Sequence, residues 1–559
     1  MSLQYHAFNE VPAETARVAR AAFPHACLAM HLRDVLQGIY RDQDFVELFP
    51  ARGQGAECPW RLALVSVLQF VDDLTDRAAA DAVRGRIDWK YALGLELTDP
   101  GFHYSVLSAF RTRLVADDAA NLLLIRLVEH LHARGLLAQR GQQRTDSTHV
   151  LAAIRTLNRL ECVAETLRAA LDQLAVVAPT WLVAQITPDW FDRYSTPVDE
   201  YRLPADSATR QALAATIGAD GVQLLQAIYH PDAPAWLREV PAVDVLRQVW
   251  VQQYYAPAAD GVHWRAEGDV PPPSVLICTP YDVEARLGAK RRTTWTGYKV
   301  HVTETCDVDT PHLITHIETT PAPAYDGSVV PPIHADLAAQ QLLPAAHLAD
   351  SNYVDAGQLV RSAADYGVEL VGPVAQDTSW QARTAGALTL EQFVIDWEGQ
   401  QVTCPQGATS QQWRETTTES GAAVIRVTFR AQDCQACPLR GRCTRSTQHG
   451  RRLTLRPQAE HVALQAARVR QTTAAFKAQY AARAGAEGTL SQGVRAFGLR
   501  RARYLGQAKT HLQHVLTAVA MNLARLATWW NGTPQARTRQ ARFARLAALS
   551  PPHYQVGGA

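Results

Sequence analysis

A charge bias is the first thing this chain lacks. Across 559 residues, 55 Lys and Arg face 54 Asp and Glu, a net charge of +1. A polyanion partner must therefore be met by a local basic patch, because the surface as a whole is not basic. Long apolar runs are missing too. No stretch approaches the ~18 uninterrupted apolar residues of a membrane span. The N-terminal segment, which carries Glu10 and Glu14, has no apolar run of signal-peptide length. Cysteine is sparse and odd in number, nine in all. That usage fits a cytoplasmic protein, where thiols stay reduced and clustered cysteines more often bind metal than pair. What is present is apolar material: 47% hydrophobic residues, enough for a sizeable core and against wholesale disorder. The length gives a prior of roughly four domains at ~150 residues each.

The expected local patch lies near the C-terminus. Residues 481–550 hold eleven Arg or Lys and a single acid, Glu487. Arg495, Arg500, Arg501, Arg503 and Lys509 follow that acid closely. Tyr480, Arg483 and Glu487 are spaced by three and then four residues, which places them on one face of a helix. A lone carboxylate in a basic field suits a metal ligand facing a polyanion. A solvated basic helix with one incidental Glu fits the same residues.

Residues 1–135 read as a helical domain. Pro59 opens an apolar helix, Thr75 re-caps the chain, and Leu123, Leu124, Leu127, Val128 and Leu131 form one helical face. Such short helices suit either a DNA reader or plain packing. Residues 136–155 turn β-prone around Asp146. A helical insertion and linker follow over 156–279, with Glu161, Glu165 and Arg168 expected outside its apolar stripe. Lys290, Arg291 and Arg292 lead into an alternating strand through Lys299, with an antiparallel partner at 312–318. Residues 345–374 read as a strand ending at Asp350, a helix over 355–365, a Gly367 stop and a second strand. An acid at the carboxyl end of a strand is in the usual place for a site; a cap on the next helix is the plainer role. Within 376–470, Cys404, Cys434, Cys437 and Cys443 fall inside forty residues. Four thiolates can hold a structural Zn²⁺ tetrahedrally; reduced thiols in a β-rich insert are the alternative. The tail 531–559, with Arg537, Arg539, Arg542 and Arg545, is a basic arm or a solvated end.

Three acids, Asp146, Asp350 and Glu487, thus stand in chain order with insertions between them. Together with RTDSTHV, KRRTTWTGYKVHVTETCD, ADSNYVDAGQL and Tyr480-x-x-Arg483-x-x-x-Glu487, this resembles the DDE transposases of bacterial insertion sequences over nearly the whole chain. The family's Lys seven residues after the Glu is replaced by Val494, with Arg495 beside it. The resemblance implies an α/β fold: a ribonuclease-H-like mixed sheet built from 136–155, 280–375 and 471–530. It implies helical and zinc-ribbon-like insertions in that sheet and an all-α N-terminal domain before it. It further implies two Mg²⁺ (or Mn²⁺) ions held by Asp146, Asp350 and Glu487. Phosphate contacts would come from Tyr480, Arg483, Arg495, Arg500, Arg501, Arg503, Lys509, Lys290, Arg291, Arg292 and Lys299. The expected partners are double-stranded DNA, as terminal inverted repeats and target, and a second copy of the chain on that DNA, in a cytoplasmic, nucleoid-associated setting. A DNA-binding protein without chemistry and a metal-dependent nuclease without strand transfer are the competing functions. Three carboxylates this close should also repel, raising at least one pKa.

Overall fold

A computed structural model describes residues 10–532, apart from 51, 54, 200, 202 and 257–260, together with residue 3. The basic tail from 533 onward, with its four arginines, lies outside the described residues.

The centre is a six-stranded mixed sheet. Its strands are β1 (Gln142–Leu151), β2 (Arg286–Lys290), β3 (Thr293–Thr305), β4 (Ile314–Pro321), β5 (Ala346–Leu348) and β6 (Glu369–Val371). The long β3 runs antiparallel to β1 on one side, with Asp146 opposite Val302. On its other side β2 and then β4 pair with successive halves of it, both antiparallel. β5 and β6 continue the sheet beyond β1 in parallel. The expected strands and their order along the chain are therefore present. Parallel strands need a crossover, supplied by helices Val330–Ala339 and Ala356–Tyr366. The second of these stops at Gly367, whose φ of 61° is a left-handed cap.

The last described helix, Gln507–Trp530, organises the packing. It has fourteen buried positions, most of them apolar, as suits a helix covered on several sides. One face lies on β4, where the Asn522 side chain clamps Ile314, accepting from its amide at 2.7 Å and donating to its carbonyl at 2.8 Å. Other faces meet the N-terminal helices Pro59–Val71 and Leu122–Ala133. The N-terminal helices and the sheet thus share one continuous hydrophobic core. Locally these helices form as the sequence indicates: Pro59 is at the first turn and the Thr75 side chain accepts from the Ala78 amide.

Between β1 and β2 the chain leaves the sheet to form the helical insertion, with helices Arg159–Val177, Ser207–Tyr229 and Pro241–Gln253 around a core of its own. Glu161 and Glu165 do not sit outside its apolar stripe; both are buried. Glu165 holds Arg168, the Tyr281 hydroxyl and the Val198 amide, and Glu161 pairs with Arg155. Enough donors converge on each carboxylate to offset its loss of water. Residues 394–455 build a small β unit, a three-stranded sheet and a two-stranded ladder, with a third core.

Candidate active site

β1 carries Arg144, Asp146 and Thr148 on one face, because side chains alternate along a strand. Asp146 is 7% exposed. Its Oδ1 accepts from the Ser147 amide at 2.8 Å and its Oδ2 from Arg483 Nη2 at 2.8 Å. Asp350 lies two residues beyond β5, where the strand has ended earlier than expected. It does not cap the following helix: Asp355 does, accepting from the Gln358 amide. Asp350 is left to close a short turn, its Oδ1 accepting from the Asn352 amide at 2.8 Å. Tyr353, fully buried and paired with His301 Nδ1 at 2.6 Å, pins that turn against the sheet.

The third element is not the single continuous helix that the spacing suggests. Helix Ala474–Tyr480 gives way to a 3₁₀ turn, Ala481–Ala484, and then to helix Gly485–Ala496. Tyr480 ends the first, half-buried and stacked on Phe476 at 5.5 Å. Arg483 stands on the turn. Glu487 begins the next helix with 72% of its side chain exposed. The turn still brings the expected residues together. The Arg483 guanidinium reaches Asp146 at 2.8 Å, Glu487 at 3.5 Å and Asp350 at 3.9 Å. One cation therefore touches three carboxylates that are 137 to 341 positions apart in the chain.

The Asp146 carboxyl is raised above the ordinary carboxylate range, as expected, but not chiefly by repulsion. Burial is the main cause, Arg483 opposes it, and the charge of Asp350 is a lesser contribution. Lys290, at the tip of the β2–β3 hairpin, is near enough to favour the ionised form.

Three residues that motif reading passed over hold this arrangement. Glu304 on β3 is 1% exposed. Arg144 donates to it through Nε at 2.7 Å, Arg525 through Nη1 at 2.6 Å and Thr489 through its hydroxyl at 2.7 Å. Burial pushes the Glu304 carboxyl up, but Arg525, Arg144 and Thr489 outweigh it, and the net direction is down. Arg144 also donates Nη1 to the Ala482 carbonyl at 2.5 Å, one residue before Arg483. It lies so close beneath position 485 that a Cβ there would come within 2.1 Å of it, so a side chain in place of Gly485 would displace the guanidinium. The strand bearing Asp146 thus fixes the turn bearing Arg483 and the helix bearing Glu487. Arg144 was visible two residues before Asp146; Glu304 and Arg525 gave no local signal.

The other basic residues do not form one helix. Arg495 is exposed in the last turn of the Glu487 helix. Residues 500–502 then run extended beside the end of β1, with the Leu151 amide bonded to the Arg500 carbonyl and the Ala502 amide to that of Leu151. Arg500 donates to Thr148 at 2.7 Å, on the same face as Asp146. Arg501, Lys509, Lys290, Arg291 and Arg292 are exposed. Arg503 is drawn the other way, to Asp73 and over the Phe70 ring of the N-terminal helices. Lys299 is paired with Asp326 at 2.5 Å. The charges of these two are met by acids of the chain itself.

Cys404, Cys434, Cys437 and Cys443 line one cleft of about 250 Å³ in the β unit. Burial pushes the Cys443 thiol up, and the other three thiols add to this. All nine cysteines are free. Among the described residues, no three His, Cys, Asp or Glu side chains stand close enough to hold a metal ion as they are. No helix among them is long and apolar enough to cross a membrane.

Two family models match the chain. A Transposase DDE domain covers residues 403–527, spanning the cysteine unit, Arg483, Glu487 and most of the last helix. A Transposase domain (DUF772) covers residues 20–113, the N-terminal helices. The two matches indicate an insertion-sequence DDE transposase. No curated protein matches it. Asp146 and Asp350 fall outside both matched segments.

Proposed function

We propose that this transposase binds the terminal inverted repeats of its element, cleaves phosphodiester bonds there and joins the ends to target DNA. The observation that carries the reading is the single guanidinium, Arg483, set among Asp146, Asp350 and Glu487. Acids from three distant segments converge there although none caps a helix and burial disfavours the charge of Asp146. The strand order, with β3 antiparallel to β1 and followed by β2 and β4 on one side, and two parallel strands on the other, supports a ribonuclease-H-like core.

Hard carboxylate oxygens from separate elements are the donor set that Mg²⁺ or Mn²⁺ takes, and Asp146, Asp350 and Glu487 would hold two such ions. When bound, they would supply an activated water or 3′-hydroxyl and a stabilised leaving oxygen. Arg483 has a planar fork suited to a phosphate. Once the acids are otherwise neutralised, it is free to turn to the scissile strand. Tyr480, held by its stack on Phe476, can donate a hydrogen bond beside it. Lys290, Arg291, Arg292, Arg495, Arg500, Arg501 and Lys509 supply the surrounding positive field. The N-terminal helices would read the ends, and two copies would hold one DNA complex. In the β unit the four-thiol cleft is suited to a structural Zn²⁺.

The test uses linear DNA carrying the element's own ends with Mg²⁺. Wild type should give joined products, whereas Asp146→Asn, Asp350→Asn and Glu487→Gln should bind the ends and leave them intact. A variant that still cuts at near the wild-type rate removes that residue from the set. Cuts without joining would make the protein a nuclease.

A further inference from the structure

The helical insertion contains a second basic site that shares no residue with the three acids. A cleft of about 490 Å³ opens where two long helices begin, Arg159–Val177 and Ser207–Tyr229. Both helix dipoles put partial positive charge there. Arg159 and Arg210 enter from the first turns of these helices, and Arg265 enters from beside the strand that carries Trp264.

Two of these guanidinium groups have donors left over. Arg159 donates Nε to Gln253 and lies over the Trp264 ring at 4.2 Å, yet its Nη2 is buried with no partner among the described residues. Arg265 pairs through Nη1 with Asp269 at 2.9 Å, yet its Nε is likewise buried and unpartnered. Buried donors are nearly always satisfied in folded proteins, so these two groups retain hydrogen-bonding capacity for a further acceptor. The two charges also oppose each other: burial chiefly lowers the Arg159 guanidinium, and Arg265 adds to this, while Tyr254 and Glu267 work against it. Glu267 also lines the cleft, one acid beside three arginines, and Asp269 pairs with one of these.

We propose that this cleft binds a phosphate oxyanion, held by the forks of Arg159 and Arg265 with Arg210 beside them. An arginine fork matches phosphate oxygens two at a time. A nucleobase fits less well, because Arg159 already covers Trp264 and the Tyr254 ring meets it edge-on at 5.1 Å. The phosphate has two sources, the DNA backbone or free phosphate. Only the DNA source rests on the transposase reading.

The experiment uses the full chain, with Arg159→Lys (charge kept, fork lost) and Arg265→Gln. Melting curves are recorded with inorganic phosphate against chloride at equal ionic strength. Binding to duplex DNA is titrated at several salt concentrations. A free-phosphate site raises the wild-type melting temperature in phosphate and leaves the variants unmoved. A DNA-backbone site instead lowers the variants' slope of log K against log[salt] by roughly 0.9 for each phosphate no longer held, on specific and random duplexes alike. If wild type and both variants respond identically in both assays, the site does not exist, and DNA cleavage by the wild type would leave the proposed function standing. If phosphate protects a protein that does not bind DNA, the site stands and the DNA reading falls. Should Arg159→Lys fail to fold, Arg265→Gln carries the test, because its ion pair is with the exposed Asp269.

Discussion

Replacing Glu304 with glutamine should destabilise this protein more than any substitution among the exposed basic residues. The carboxylate is 1% exposed and holds two guanidinium groups, Arg144 at 2.7 Å and Arg525 at 2.6 Å, whose own side chains are 5% and 14% exposed. A glutamine side chain would fit the space but leave two buried cations facing a neutral amide. Removing one partner of a buried pair typically costs ~3–5 kcal/mol, because the remaining charge is uncompensated. The same bonds support the Ala482 carbonyl and Thr489, so the loss falls on the Arg483 turn and the Glu487 helix. Urea unfolding at pH 7 should show that difference, and cleavage should fall in the fraction that stays folded. The pH dependence has a definite sign. The folded carboxyl sits below its unfolded value, so its stabilisation is complete above the unfolded pKa near ~4.3 and is lost as pH falls through the folded one. Wild type and Glu304→Gln should therefore converge in stability as acid is added. A Glu304→Gln protein as stable as wild type at pH 7 would refute the buried network as a support of the site.

Asp146 predicts the reverse. Its carboxyl is raised by burial, so ionisation above that raised pKa costs folding energy. In metal-free buffer Asp146→Asn should melt higher than wild type at neutral pH, with the gain shrinking as pH falls through the folded pKa; a lower melting temperature at pH 7 would contradict this. Protein purified without added metal should contain about one zinc per chain by the four-ligand logic, and elemental analysis finding none in folded protein removes the zinc. Arg503→Ala should lower thermal stability and leave the salt slope of DNA binding alone, since Arg503 is tied to Asp73. Arg500→Ala with Arg501→Ala should lower that slope by roughly 0.9 for each phosphate no longer held, and an unchanged slope would move the DNA surface to Lys290–Arg292 and the N-terminal helices.

Local elements and the residue types of the candidate site were legible in short stretches of the sequence. Alternation around Asp146 and over 296–303, the Gly367 stop and the Thr75 cap are signals carried within a few residues, and each is realised. The chain order of Asp146, Asp350 and Glu487 was legible for the same reason, as was the Cys404–Cys443 cluster. Tertiary structure alone decided which charges face outward. Arg503 and Lys299 read as free cations until Asp73 and Asp326 are brought beside them. Glu161 and Glu165 read as surface residues until Arg155, Arg168 and Tyr281 arrive to satisfy them. Glu304 and Arg525 carry no local pattern, since their partners are as much as 221 positions away. Whether a charge is buried depends on the groups that compensate it, and those come from segments that only the folded chain brings together.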